Sequence, residues 1–279
     1  MIAINTNRSL PRQRLENSAR AGFPPLLRPS IWLYLTKKEL PRVDKLYERI
    51  DKSSIVYKQI MKDVRRTPPY QFFNGPGKEA LETVLVAFSV FDEKVGYTQG
   101  MNFIASFLLR VLIGYDDSTA KYVEASLRNY KVASQQAFSI LAYIVHDLKW
   151  REMYYDYTPK LFELTVQLDD KISKHLPKLF ERLQESGLNT SMVFTEALMT
   201  CFCSKAPFEF AKRIFDMFLL RGESLVLSII LKLLRLNEAH ILRIESQHEL
   251  FNFLRSELFN HTYKHYPEII QEIVNDDCS

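Results

Sequence analysis

The sequence has few cysteines and no long uninterrupted apolar run. Its three cysteines, Cys201, Cys203 and Cys278, are too few for a disulfide framework, which favours a reducing compartment. The Cys-x-Cys pair has no second Cys or His pair nearby, so the sequence predicts free thiols and no metal site. The longest apolar stretches, residues 101–115 and 224–234, are shorter than the roughly 20 residues of a membrane span, and each contains a charge. We therefore expect core helices and no transmembrane segment.

The chain also lacks a strong excess of charge of one sign. It has 37 basic and 33 acidic residues, a net charge of +4, with the basic residues scattered among acidic ones. This is too little for a nucleic-acid footprint, so we expect no nucleic-acid partner. A hydrophobic content of 47% predicts a packed globular protein. Residues 1–20 are polar, without the apolar core of a secretory signal, and are interpreted as a tail or linker of a cytoplasmic protein.

Glycine is scarce, and the eight glycines fall between periodic segments, where helices end. The segment 77–96 shows the spacing of three and four residues that puts apolar side chains on one helix face: Leu81, Val84, Leu85, Phe88 and Phe91. Alternation bounded by hairpin turns is absent. The sequence thus predicts an all-α fold. The aromatic and proline-containing stretch 151–159 suggests two helical subdomains, over residues 21–155 and 156–279.

The stretch "KDVRRTPPY" sets two arginines before a double proline. Because Pro68 disfavours a helical backbone at Thr67, the helix should end there and expose the arginines. Asp63 shares a helix side with Arg66 at a three-residue spacing, whereas Arg65 points about 100° away. Taken alone, the pair fits a solvated helix end that is favourable to the helix dipole. The functional alternative is a guanidinium held out to meet phosphate oxygens of another molecule.

The stretch "EKVGYTQGMNF" brackets Gln99 between Gly96 and Gly100, which permit a sharp turn. An amide there can bind a water and also donate to a phosphate oxygen. Alternatively, Gln99 caps the next helix or bonds loop backbone. The glycine spacing matches neither a Walker loop nor a dinucleotide-binding fingerprint.

Three blocks then carry a resemblance, namely "GFPPLLRPSIW" (22–32), "IMKDVRRT" (60–67) and "GYTQGMNFIA" (96–105). They resemble the signature blocks of the TBC (Tre-2/Bub2/Cdc16) domain, the GTPase-activating domain for Rab-family small GTPases. The order and separations also fit, and the similarity extends over about residues 22–259. The sequence departs from the family pattern after Ser191, where a tryptophan is missing, and in "IFD", where the family has Ile-Trp-Asp.

The resemblance implies an all-helical domain of two subdomains that binds a GTP-loaded Rab and accelerates hydrolysis from outside. In the family pattern Ile-x-x-Asp-x-x-Arg the last arginine is the catalytic finger, which gives Arg66. The glutamine of Tyr-x-Gln-Gly-Met is the second finger, which gives Gln99. We expect Arg28 and Trp32 to brace the fold around the site. The other motif residues expected to support the fingers are Asp63, Thr67, Tyr97 and Gly100.

The resemblance also bears on partners. GTP and Mg²⁺ would be carried by the GTPase, so the chain needs no cofactor and has no reaction on a substrate of its own. We expect a monomer that reaches membranes through its Rab partner. Two alternatives stay open: a catalytically silent TBC-fold module that binds a GTPase, and a helical scaffold with no link to nucleotides.

Overall fold

The computed structural model of the chain describes residues 12–69, 76–116, 121–122 and 130–265. Within these ranges the fold is all-α, as predicted. The α-helices are, in chain order, α1 (Arg12–Ala21), α2 (Arg28–Leu35), α3 (Val43–Tyr47), α4 (Ile55–Arg66), α5 (Pro76–Phe91), α6 (Met101–Ile113), α7 (Tyr130–His146), α8 (Pro159–His175), α9 (Pro177–Glu185), α10 (Thr190–Met199), α11 (Phe208–Arg221), α12 (Glu223–Ile241), α13 (Gln247–Asn252) and α14 (Leu258–His265).

Four short elements accompany these helices. Arg151–Tyr154 forms a 3-10 turn between α7 and α8, beside the predicted subdomain boundary at residue 155. Phe253–Glu257 forms a π-helical turn that joins α13 to α14. The strands β1 (Tyr115–Asp116) and β2 (Lys121–Tyr122) pair antiparallel directly after α6. These two-residue strands are the departure from a purely helical architecture in the described part of the chain, and they are too short to show in the sequence pattern.

The helical face predicted in α5 is confirmed. Leu81, Val84, Leu85 and Phe88 are buried, and Phe91 is partly buried with its ring edge-on to Phe138 at 5.4 Å between centroids. The helices α3, α4, α6 and α7 all pack against α5. This places α5 at the centre of the N-terminal half and fixes α4 and α6, which carry the candidate site.

The two longest apolar stretches of the sequence form the buried helices α6 and α12. Both are covered by neighbours: α5 and α7 pack against α6, and α8, α11 and α14 pack against α12. Among the described residues, no helix is both long and apolar enough to cross a membrane. Cys201 is buried and Cys203 partly buried, and both are free thiols; Cys278 lies outside the described residues.

The segment interpreted as a tail or linker, residues 1–20, is described from residue 12 onwards, where α1 begins. Leu15 and Ala19 of α1 are buried, and the helix packs against α11. Arg213 of α11 donates from Nη1 to the carbonyl of Ala21 at 2.9 Å, which fixes the end of α1. Although α1 is mostly polar, its two buried residues, Leu15 and Ala19, pack it against the C-terminal half.

Candidate functional site

Helix α4 ends where the sequence predicts. The hydroxyl of Ser54 accepts from the backbone N–H of Tyr57 at 3.2 Å and caps the helix start. The helix ends at Arg66, and Thr67 has extended backbone angles, φ −80° and ψ 121°. Pro68 explains this, because its ring disfavours a helical conformation for the residue before it. Arg66 therefore lies on the last turn of a helix whose other face is packed against α5.

The two arginines separate as the helical period requires. Arg66 donates from Nε to Asp63 Oδ1 at 2.8 Å, and its Nη2 lies 2.7 Å from the same oxygen. The Asp63 side chain is fully buried, whereas that of Arg66 is 50% exposed. Arg65 lies on another side of α4, where it lines a separate groove. Asp63 thus binds the Nε and Nη2 edge of the Arg66 guanidinium, while half of the side chain stays exposed.

Asp63 also joins α4 to the loop that carries Gln99. Its Oδ2 accepts from the Tyr97 hydroxyl at 2.7 Å and from Gln59 Nε2 at 3.2 Å. Burial, together with the hydrogen bond to Asp63, raises the pKa of Tyr97, so the hydroxyl stays protonated and remains a donor. The carboxylate that positions Arg66 therefore also fixes the start of the Gln99 loop.

A second link connects the same two segments through buried polar groups. Gly100, which precedes α6, has φ 117°, a value that strains any residue with a Cβ. Its N–H donates to Asn102 Oδ1 at 3.0 Å, and Asn102 Nδ2 donates to Thr67 Oγ1 at 2.8 Å. The Thr67 hydroxyl in turn donates to the carbonyl of Asp63 at 2.7 Å. The motif alone does not predict Asn102 as a bridge, because its partner Thr67 follows α4 and lies 35 residues earlier in the chain.

Gln99 is exposed, and its carboxamide makes no hydrogen bond with the described part of the chain. The expected alternative, that Gln99 caps α6, is wrong, because Gly100 is the N-cap and α6 has no side-chain cap. The neighbouring Thr98 donates to the carbonyl of Tyr154 at 3.3 Å, and the Tyr154 hydroxyl donates to the carbonyl of Met199 at 2.9 Å. Hydrogen bonds at Thr98 and Gly100 thus fix the loop on both sides of Gln99, while the Gln99 side chain stays free to contact another molecule.

Arg66 and Gln99 line one cleft of about 690 Å³. The near wall comes from α4 and from the loop and first turn of α6, and the far wall comes from α10 and the π-helical turn of the C-terminal half. The other lining residues are Thr98, Gly100, Asn102, Phe103, Thr195, Glu196, Met199, Thr200 and Arg255. A permanently charged donor and an unengaged amide therefore face the same space, open to another molecule.

Comparison with known proteins assigns the chain to a family. A family model described as the Rab-GTPase-TBC domain matches residues 25–242, which is most of the chain. The chain belongs to the Rab-GTPase-TBC domain family. Among curated relatives, the GTPase-activating protein GYP5 of Saccharomyces cerevisiae is 30% identical over 250 residues, covering 89% of this chain and 25% of the relative.

A human relative, the ecotropic viral integration site 5 protein homolog, is 28% identical over 246 residues, covering 86% of this chain and 28% of the relative. The chain thus spans about a quarter of the length of these relatives. Two solved structures share the TBC fold. A Chlamydomonas flagellar RabGAP TBC domain aligns with TM-score 0.75 and 23% identity, covering 97% of this chain and 86% of that one. The Ypt/Rab-GAP domain of Gyp1p aligns with TM-score 0.79 and 15% identity, covering 97% and 92%.

In this TBC domain, Arg28 and Trp32 do not line the cleft but converge on a buried carboxylate of α11. Arg28 donates to both oxygens of Asp216, from Nε at 2.9 Å and from Nη2 at 3.0 Å. Trp32 Nε1 donates to Oδ1 at 2.9 Å, and the Phe23 N–H donates to Oδ2 at 3.1 Å. Burial raises the pKa of Asp216, and the hydrogen bond from Arg28 opposes that shift. Asp216, the last residue of "IFD", thus joins α2 to the C-terminal half.

The far wall contributes charged residues that sequence reasoning missed. Arg255 lies on the π-helical turn with its side chain 48% exposed, and its Nη2 is 3.6 Å from Glu196 Oε2. The stronger partner of Glu196 is Lys205, whose Nζ lies 2.8 Å from the same oxygen. Local π-helical geometry is frequent at functional sites. No sequence signal pairs Arg255 with Arg66, because only the tertiary fold brings both to one cleft.

Proposed function

We propose that this chain is a GTPase-activating protein for GTP-bound Rab-family GTPases and that it supplies Arg66 and Gln99 to the reaction in trans. Family membership and the name of the yeast relative, a GTPase-activating protein, support this activity. The observation that carries the mechanism is the shared cleft, in which Arg66 and Gln99 are both accessible. The segments that carry them are linked by hydrogen bonds between the side chains of neighbouring residues.

Hydrolysis of GTP needs positioned charge more than covalent chemistry. The transferred phosphoryl group spreads negative charge over its oxygens, and an arginine supplied in trans accelerates the step by about 10³- to 10⁵-fold. Arg66 fits this role because Asp63 engages Nε and Nη2 and leaves the Nη1 end to reach phosphate oxygens. A guanidinium has five N–H donors, so Arg66 can bind the Asp63 carboxylate along one edge and phosphate oxygens along another.

Gln99 takes the second role. An attacking water must be held in line with the phosphoryl group, and a carboxamide can accept from that water and donate to an oxygen nearby. Gln99 needs no rearrangement of hydrogen bonds to do so, since its side chain has no partner in the described residues. GTP and Mg²⁺ belong to the partner's substrate complex, and the chain acts as a monomer brought to membranes by its Rab.

The test is single-turnover GTP hydrolysis measured across a panel of GTP-loaded Rab proteins. With the Rab that responds, Arg66→Ala should lower the stimulated rate by about 10³-fold or more. Arg66→Lys should be nearly as inactive, because an ammonium cannot make the planar paired hydrogen bonds of a guanidinium. Arg65→Ala is the matched control, since it removes the adjacent arginine of the same helix, and should change the rate by less than about threefold.

The outcomes separate the alternatives. Near-normal rates with Arg66→Ala would refute the assignment of the finger. If only Arg65→Ala abolished activity, the catalytic finger would be Arg65, one residue before the assigned position. Binding that depends on the GTP state, with no rate increase for any Rab in the panel, would establish the catalytically silent module instead.

A further inference from the structure

The exposed side of α4 and the loop before it form a second concave surface, here called the basic groove. Its volume of about 460 Å³ is within the range of small-ligand sites. The groove is lined by Lys52, Tyr57, Lys58, Met61, Lys62 and Arg65. Four of these six side chains are cations, and the other two provide an apolar floor. This composition suits an anion that also has non-polar surface.

The cations of the basic groove differ from neighbouring basic residues in forming no direct ion pair with a carboxylate of the described residues. Other basic residues of this region each form an ion pair: Arg42 with Asp44, Lys45 with Glu48, Arg49 with Glu93 and Arg66 with Asp63. Within the described ranges, no ion pair involves Lys52, Lys58, Lys62 or Arg65, and Lys52 Nζ lies 5.3 Å from the centre of the Tyr47 ring. Hydrogen bonds from Ser53 and, to a smaller extent, the charge of Lys58 lower the pKa of Asp51, so one carboxylate lies near the groove without forming a direct ion pair. The groove therefore keeps an excess of positive charge.

The nearby carboxylates Glu82 and Asp51 accept their hydrogen bonds from residues other than the groove lysines. Glu82 accepts from the hydroxyl of Tyr57 at 2.9 Å and from that of Tyr47 at 2.5 Å, so it lies behind the floor of the groove. Asp51 accepts from Ser53, at 2.8 Å from N–H and 2.7 Å from Oγ. The hydrogen bond to Glu82 also holds the Tyr57 ring in place, so the floor is pre-formed before any ligand binds.

An exposed aliphatic side chain borders the same surface. Ile55 is 86% exposed, and the helical period puts it on the same side of α4 as Lys58 and Lys62. A soluble anion gains nothing from an isoleucine in this position. A membrane interface does, because it offers anionic headgroups and, a few ångströms below, an apolar layer.

We infer that the basic groove binds the phosphate-bearing headgroups of an anionic lipid surface, with Ile55 placed at the boundary between headgroups and acyl chains. Lysine ammonium groups and an arginine are standard phosphate ligands. Because Arg65 and Arg66 point about 100° apart on α4, lipid in the groove leaves Arg66 and its cleft open. The site thus adds direct membrane contact to any contact made through a GTPase.

The test is co-sedimentation of the whole chain with vesicles, without a GTPase. The vesicles contain phosphatidylcholine alone, phosphatidylcholine with phosphatidylserine, or phosphatidylcholine with phosphatidylinositol bisphosphate at equal total charge. The double substitution Lys58→Gln with Lys62→Gln should weaken binding to both charged vesicles by about 25-fold, about fivefold for each charge removed. Lys37→Gln with Lys178→Gln removes the same charge from exposed positions elsewhere and should change binding by less than about twofold.

Further measurements distinguish a lipid surface from a soluble anion as the ligand. Ile55→Ser should weaken binding to charged vesicles and leave any binding of soluble inositol trisphosphate unchanged. An equal loss in the control variant would overturn the proposal, since net charge alone would then explain the binding. The proposal would also be overturned if the chain bound none of the charged vesicles. Binding of soluble inositol trisphosphate or an acidic peptide in the groove, without binding of vesicles, would overturn it as well. Because these assays contain no GTPase, failure of the groove and failure of the catalytic proposal are separate results.

Discussion

Replacing Asp63 by asparagine tests whether a buried carboxylate positions the proposed finger. The substitution keeps the side-chain size but removes the charge that Arg66 contacts. It also replaces one oxygen by an NH₂ group, whereas Tyr97, Gln59 and Arg66 all act as donors towards this carboxylate. The new NH₂ group then faces one or more of these N–H and O–H donors at a fully buried position. Tyr97 can rotate its hydroxyl and Gln59 can flip its amide, so part of the loss is recovered.

The magnitude follows from these contacts. Hydrogen bonds to a charged group contribute about 1.5–3 kcal/mol each, but the contact with Arg66 is discounted because that side chain is half exposed. A net loss of about 2–3 kcal/mol of unfolding free energy corresponds to a decrease in Tm of about 5–10 °C for a domain of this size. If the restraint on Arg66 is worth about 1.4 kcal/mol, the stimulated hydrolysis rate falls about tenfold.

The assay combines thermal unfolding with single-turnover hydrolysis at a temperature where every variant is folded. Asp216→Asn is the matched control, because Asp216 is also a buried carboxylate that holds an arginine, but it does not line the cleft. The control should lose at least as much stability and keep its rate per folded molecule. If Asp63→Asn also kept its rate, Asp63 would serve only the fold, and the argument that it positions Arg66 would be refuted.

Three other substitutions have defined outcomes. Arg28→Ala leaves the buried carboxylate of Asp216 without its cation and should cost about 3–5 kcal/mol, measured as a decrease in Tm of about 10 °C or more. Arg255→Ala should raise KM for the GTP-loaded GTPase about tenfold with kcat unchanged, whereas Arg243→Ala, an exposed arginine outside the cleft lining, should change neither. Burial lowers the pKa of His146 from 6.5, so the unfolded chain binds more protons than the folded one just below that pH. The unfolding free energy should therefore fall as the pH decreases below about 6.5, and His146→Gln should reduce this slope in denaturant melts at several pH values.

Local rules predict the near wall of the cleft well. The end of α4 follows from Pro68, and the contact between Asp63 and Arg66 follows from the helical spacing of three residues. The loop with Gln99 follows from its two flanking glycines. Each of these features depends on residues within a few positions of one another, so a short stretch of sequence is enough to predict it.

Contacts across the fold could not be predicted in the same way. Asn102 of α6 donates directly to Thr67, which follows α4, and Asp216 accepts hydrogen bonds from three residues near the start of the chain. Arg255 reaches the cleft from a turn near the other end of the described chain. Nothing in the local pattern around these residues specifies the partner, because the partner is chosen by the packing of helices that are distant in sequence.

The two walls of the cleft differ in how firmly they are held, and this difference assigns them different roles. On the near wall, Asp63 and Asn102 are buried, and each is hydrogen-bonded through both polar atoms of its side chain, which ties together the segments that carry Arg66 and Gln99. On the far wall, Arg255 is half exposed, and its two contacts are weak: Nη2 is 3.6 Å from Glu196 Oε2, and the guanidinium carbon is 5.6 Å from the centre of the Phe251 ring. Pre-organised groups lower the barrier of a reaction, whereas loosely held charges at a surface adapt to the shape and charge of a partner. Exchange of charge on the far wall should therefore change which GTPase binds, and substitutions on the near wall should change how fast its GTP is hydrolysed.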